Sequence, residues 1–219
     1  PPAAPADSVK TVVFHAEKVH DFAWVCDPTF ALQDTTWGTV RVAAFSRAWN
    51  SAWKDSALTY AVRALRWLGK LVGPYPYPAV NVVESIRGGG MEYPMLVMQQ
   101  RADEALTLHE IGHIYFYGIL ANNELDEAWL DEGFTTWQTT RYMTERYGPR
   151  GAPSPKGWYK KRLPAASLWD RAALELIDLQ RQGYWEPIAS PAWAFRGVYA
   201  PMVYRRAARF LEALRYTLG

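Results

Sequence analysis

The stretch 107–137, TLHEIGHIYFYGILANNELDEAWLDEGFTTW, limits what this chain can fold into more than any other. His109, Glu110 and His113 stand in the pattern HExxH, and Glu132 follows His113 after 18 intervening residues inside WLDEGF. Residues four apart on a helix share one face, about one turn from each other. His109 and His113 can therefore aim two imidazole nitrogens at one point, with Glu110 on the neighbouring edge of that face. A hydrolytic zinc site takes three protein ligands and keeps a fourth position for water. His109, His113 and Glu132 are the candidate ligands of one zinc ion, and Glu110 is the candidate base for its water. Two successive helices must then converge, with Asn122-Asn123-Glu124-Leu125-Asp126 as the turn between them.

The pattern can also arise by accident, so its context decides. Leu106, Ile111, Ile114 and Tyr115 fall at helical spacing, Asp103 and Glu104 supply an acidic opening, and Gly118 stands near the end. The local sequence is that of a helix.

At 219 residues the chain can bury one sizeable core. A net charge of +2 gives no reason to expect nucleic acid or an anionic membrane as partner. The densest basic run, Lys160-Lys161-Arg162, reads as a solvated loop face. No stretch is long and apolar enough for a membrane span, and nothing marks a signal peptide. The compartment stays open between cytoplasmic and periplasmic or secreted. PPAAPADS at 1–8 reads as a linker or trimmed terminus. Cys26 stands alone, which excludes an internal disulfide, and reads as a buried apolar filler. Eleven Trp and 13 Tyr exceed what the centre of one domain can satisfy, so some are expected to line a cleft or face a neighbouring domain.

Val9 to about Phe45 alternates as strands do, which makes His15 and His20 strand histidines rather than ligands. Residues 56–71 are amphipathic at helical spacing and stop at Gly73 and the PYPYP run. The apolar runs 79–86 and 93–99 read as two strands joined by a glycine-rich turn. Beyond the Glu132 helix, which should reach about Tyr147, lie a loop from Gly148 to Pro164 and a helix over 167–182. An irregular stretch over 184–201 and a last helix from Tyr204 to Leu218 follow, with Gly219 at its cap position. Strands first and helices later argue α+β.

GGMEY (89–93), HEIGH (109–113), WLDEGF (129–134) and a tyrosine-bearing final helix occur in that order. With this ordered set the chain resembles the aminopeptidase N and leukotriene hydrolase family of zinc metallopeptidases (gluzincins), over nearly its whole length. The resemblance implies a thermolysin-like catalytic domain: a small mixed β-sheet followed by a mostly helical part that carries the zinc. It assigns 1–45 to the end of an N-terminal β-domain or linking strands, and 46–219 to the catalytic domain. The family's C-terminal helical domain would be absent, and surfaces that pack on flanking domains are expected.

Carried over by motif, His109, His113 and Glu132 match the zinc ligands and Glu110 the general base. Gly89, Gly90, Met91 and Glu92 match the substrate-lining Gly-x-Met-Glu element, whose glutamate holds the substrate's α-ammonium. A carboxylate out of water pairs well with an N-terminal ammonium and poorly with a mid-chain amide. Tyr204 matches the catalytic tyrosine, with Tyr199 as the other candidate, and would donate to the oxyanion. The chain departs from the family at Tyr93, where Asn is usual, and at Arg206-Ala207, where Lys-Gly is usual. The implied activity is zinc-dependent removal of N-terminal residues from peptides with a free amino end. The alternatives are an endopeptidase or leukotriene-hydrolase-like enzyme on the same site, or a zinc-binding scaffold without turnover. Asp131, beside a ligand, is open between a role at the metal site and a surface role.

Overall fold

The computed structural model describes residues 9–54, 56–151 and 166–219. Five strands form one mixed sheet: β1 (Phe30–Trp37), β2 (Val40–Arg47), β3 (Ala79–Glu84), β4 (Gly90–Tyr93) and β5 (Leu96–Gln99). Their order across the sheet is β1-β2-β3-β5-β4. β1 runs antiparallel to β2, β2 and β5 both run parallel to β3, and β4 closes the edge antiparallel to β5.

The parallel pairing of β2 with β3 requires a crossover, and residues between them supply it as α1 (Ser51–Lys54) and α2 (Ala57–Leu71). α2 buries Ala57, Ala61, Ala64, Leu65 and Leu68, a stripe whose three alanines let its backbone come close to the sheet. Against that stripe lie Val42, Val80, Val82 and Val97, all fully buried. Trimming Leu65 to Ala would remove about 2–5 kcal/mol, the usual cost of a cavity in such a core.

The helical part follows. α3 (Glu104–His113) is capped by Asp103, whose carboxylate accepts from the Leu106 N–H at 2.9 Å. It continues as a π-helical turn, Ile114–Gly118. A second π-helical turn, Trp129–Gly133, leads into α4 (Phe134–Tyr147). α5 (Leu168–Arg181) opens with a capping box between Ser167 and Asp170. A 3-10 turn, Ala192–Phe195, a π-helical segment, Ala200–Arg206, and α6 (Ala207–Leu218) complete the chain. Leu108, Ile111, Ile114 and Tyr115 join α3 to the sheet core. Ala128, Leu176, Phe195, Val198, Met202 and Val203 make a second core within the helical part. The architecture is α+β, as the strand and helix patterns predict.

At the start of α3 one carboxylate ties three helices together. Glu104, 8% exposed, accepts from Tyr142 Oη at 2.5 Å and from Tyr147 Oη, and pairs with Arg63 at 3.2 Å and Arg146 at 3.0 Å. Burial alone would raise its pKa; the two tyrosines and two arginines hold it below the usual carboxylate range.

Several sequence expectations need correction. Residues 9–28 are not strands: Val9, Val13 and Phe14 are exposed, and among the described residues no strand pairs with the segment. His15 is exposed and pairs with Glu17, while His20 meets Tyr117 Oη at 3.0 Å, so neither is a strand histidine. Cys26 is exposed, not a filler. The expected runs 79–86 and 93–99 hold β3 and β5, which are neighbours, but the glycine-rich segment between them is not a plain turn. It leads to β4 at the edge, and β5 then inserts between β4 and β3, with Met95 at φ 62° in the tight turn between them. The terminal 1–8, residues 152–164 of the 148–164 loop and with them the Lys160–Arg162 run lie outside the described residues. No described helix is long and apolar enough to cross a membrane.

Candidate metal centre

α3 and the Trp129–Gly133 turn converge as the spacing requires. Glu132 Oε2 lies 3.0 Å from His109 Nε2 and 3.4 Å from His113 Nε2. One donor atom from each of the three residues falls within a 4.8 Å sphere of mutual separation. Two imidazole nitrogens and one carboxylate oxygen, so gathered, fit a divalent cation of zinc's preferences.

Asp131 holds the other side of His113. Its Oδ1 accepts from Nδ1, and Thr135 Oγ1 lies 3.5 Å from the same nitrogen. With Nδ1 engaged by a carboxylate, Nε2 is the nitrogen directed at Glu132 and the one a metal would take in place of its proton. Asp131 is 3% exposed and His113 1%. The carboxylate is therefore part of the site and not of the surface.

Two glycines allow the assembly to close. A Cβ at Gly133, the residue after Glu132, would sit 2.6 Å from Ala207 Cβ and 3.2 Å from the Val203 carbonyl. Its absence lets the last helical segment pack directly behind Glu132. Tyr204 thereby reaches the site and donates its phenolic hydrogen to Glu132 Oε1, with its ring stacked 5.9 Å from that of His109. Tyr199 stands edge-on to Tyr204 at 6.1 Å and makes no hydrogen bond among the described residues. Gly90, on the edge strand β4, packs on α3 so closely that a Cβ there would fall inside the Glu110 carboxyl group. The same strand presents Glu92, and one donor atom each from Glu92, Glu110 and His113 lie within 4.8 Å of one another. Met91 is half-buried beside it, paired in register with Met98, and Gly89 adopts φ 68° at the approach to the strand.

The electrostatics divide the carboxylates into two kinds. Burial would raise Glu132, but hydrogen bonds from His109 and His113 overcome this and hold it far below the usual range. Burial pushes Glu110 up to about 8 and Glu92 up to about 7, with neighbouring carboxylates adding to both and His113 opposing. Burial lowers His109, whereas His113, in the grip of Asp131, is raised. Burial and the Glu132 charge together raise the Tyr204 phenol, so it remains a proton donor. A divalent cation at the centre would favour the ionised carboxylates and neutral imidazoles.

The ordered motifs thus bring His109, His113, Glu132, Glu110, Glu92 and Tyr204 to one place. Asp131 and Glu124 belong to the same cluster. For Asp131 the only sequence signal was adjacency to Glu132. Glu124 lies in what reads as a plain polar turn and gave no signal. The tryptophans split between a packed set, in which Trp129 stacks on Phe134, and exposed ones such as Trp193 at 79%.

The fold is similar to that of solved M1 zinc metallopeptidases. The M1 zinc metallopeptidase of Deinococcus radiodurans matches it with a TM-score of 0.59 at 22% identity, over 87% of this chain and 40% of that one. A two-domain M1 zinc metallopeptidase variant bound to L-tryptophan matches with a TM-score of 0.61 at 23% identity, over 87% and 41%. By sequence, part of the chain is similar to curated aminopeptidases. Aminopeptidase B of Rattus norvegicus is 34% identical over 89 residues, 36% of this chain and 14% of that protein. Leucine aminopeptidase 2 of Coccidioides immitis is 28% identical over 96 residues, 39% of this chain and 16% of that protein. The chain thus spans about a seventh of the length of these curated relatives. No protein-family model matches it.

Proposed function

We propose that this chain carries the active centre of a zinc-dependent aminopeptidase, with His109, His113 and Glu132 as the ligands of one zinc ion. Bound there, the ion would supply Lewis acidity and a water of lowered pKa. Glu110 takes the proton from the attacking water at its carboxylate and returns it to the leaving amine. Tyr204 donates its phenolic hydrogen to the oxyanion as the peptide carbonyl becomes tetrahedral, a role that its raised pKa preserves at neutral pH. Glu92 receives the α-ammonium of the substrate, so that the first peptide bond reaches the centre. Asp131 orients His113.

The observation that supports this most is the convergence of three donor atoms from His109, His113 and Glu132 with Glu110 and Glu92 on adjoining faces. The test is zinc content measured together with hydrolysis of aminoacyl-arylamides. One equivalent of zinc and cleavage of free-amine but not N-acetylated substrates are expected. Equal rates on blocked and unblocked peptides would favour an endopeptidase. Protein that never takes up zinc would end the reading.

A further inference from the structure

Tyr204 reaches the metal centre from a stretch of backbone that is not a regular helix. Ala200–Arg206 is π-helical, and at its end the Ala207 N–H is shared between the Met202 carbonyl, five residues back, and that of Tyr204. An α-helix would bond that N–H to the Val203 carbonyl, four residues back. The Val203 carbonyl lies instead against Gly133, where a Cβ would come within 3.2 Å of it. Such a wide turn holds one residue more than an α-helical one, and one residue is about 100° of rotation on a helix. Tightening it to α would rotate Tyr204 relative to α6 and carry its phenol off Glu132.

Arg206 closes this turn from the outside. Its guanidinium lies 3.6 Å from the centroid of the Trp185 ring, donates to the Glu186 carbonyl and approaches Met202 Sδ at 3.8 Å across the turn itself. Trp185 follows an anchored residue, since the Tyr184 N–H bonds to the Leu179 carbonyl of α5 at 3.0 Å. A flat guanidinium can stack on a ring and still donate from its edge, whereas an ammonium is a point charge that does one or the other. Trp185 is 43% exposed and belongs to neither hydrophobic core. The stack therefore holds a local backbone shape and adds little to the packing of the fold.

Resting on the aminopeptidase reading, we infer that Arg206 is a positioning residue for Tyr204: stacked on Trp185 and bonded to the Glu186 carbonyl, it holds the wide turn that aims the phenol at the metal centre. Gly133 fixes that turn from the inside and Arg206 from the outside. Arg206 acts on the reaction only through Tyr204. A reacting group displaced by about 1 Å can lose on the order of 10²-fold in rate. Release of the outer contact is therefore felt in kcat, where the oxyanion is stabilised, and not in ground-state binding.

The test is a cycle of variants of the zinc-loaded protein acting on an aminoacyl-arylamide: Arg206→Ala and Trp185→Ala, each alone and combined with Tyr204→Phe. Arg206→Ala should lower kcat about tenfold with KM nearly unchanged and zinc content kept, and Trp185→Ala should do the same to a smaller degree. Arg206→Lys, which keeps the charge but not the flat stack, should recover only part of the loss. With Tyr204→Phe already in place, neither substitution should reduce kcat further. A loss that persists undiminished in Tyr204→Phe overturns the inference, as does a loss confined to KM. A second measurement needs neither zinc nor turnover: fluorine NMR of protein carrying 3-fluorotyrosine, in which the Tyr204 signal is the one missing from Tyr204→Phe. Arg206→Ala, or Trp185→Ala if the first variant does not fold, should move or broaden that signal and leave the Tyr142 signal in place. A Tyr204 signal that stays where it was sinks the clamp. Unmodified protein that neither binds zinc nor cleaves the arylamide would instead count against the aminopeptidase reading, while the fluorine spectra would still decide the role of Arg206.

Discussion

The two ends of α3 each bury a glutamate, and they are built on opposite principles. Glu104, in its first turn, is surrounded by two arginines and two tyrosines from α2 and α4. Glu110, six residues on, is 3% exposed and has no hydrogen-bond or ion-pair partner among the described residues. One carboxylate is held down in its charged form, the other is pushed up to about 8. A group whose partners are all supplied by the protein serves the fold. One left wanting a partner is available to a substrate or a water.

The contrast can be broken by substitution. Glu110→Gln should reduce turnover by about 10³-fold with zinc content kept, since general-base catalysis contributes on that order, and its melting temperature should not fall. A variant that unfolds but retains turnover per folded molecule would reverse the assignment. Tyr204→Phe, which removes a donor at the metal end, should reduce kcat by about 10²-fold at nearly constant stability, read by steady-state kinetics and thermal melting. Tyr142→Phe, its counterpart at the other end, should leave kcat alone and cost about 1–2 kcal/mol.

Glu104→Gln is the sharper structural case. Its loss should cost about 2–3 kcal/mol, below the range for a fully buried pair because Arg63 and Arg146 keep 36% and 35% of their side chains exposed. That corresponds to a drop of roughly 5–10 °C in Tm. The smallest effect concerns pH. Because the folded-state pKa of Glu104 lies below its unfolded value near 4.5, its contribution is fully present above that pH. It is lost as pH falls through the folded-state value. Melting at pH 7 and pH 3 should therefore differ more for the unmodified chain than for Glu104→Gln.

The sequence made the metal-centre end of this helix legible and the hub end opaque. His109, Glu110, His113 and Glu132 declare themselves because metal chemistry demands particular side chains at helical spacing. Glu104 reads only as an acidic first turn, since Arg63, Tyr142, Tyr147 and Arg146 reach it from distant elements that no local pattern connects. The sheet shows the same division. Apolar runs marked β3 and β5, but the insertion of β5 between β3 and β4 depends on long-range pairing. Alternation over 9–28 suggested strands, yet a strand needs a partner edge as well as a pattern, and none lies there among the described residues. Asp131 and Glu124 stayed hidden for a related reason: a lone carboxylate acquires its role from what folds against it.

The edge strand beside the centre has one more consequence. β4 is four residues long, bonds to β5 on one side only, and is cut off at Tyr93 by Pro94 and the left-handed Met95. A bare ribbon margin invites a second copy of the protein to zip along it. At four residues this margin is too short to template a neighbour, and on the aminopeptidase reading it would still serve the first few main-chain groups of a peptide, so one short edge would meet both demands.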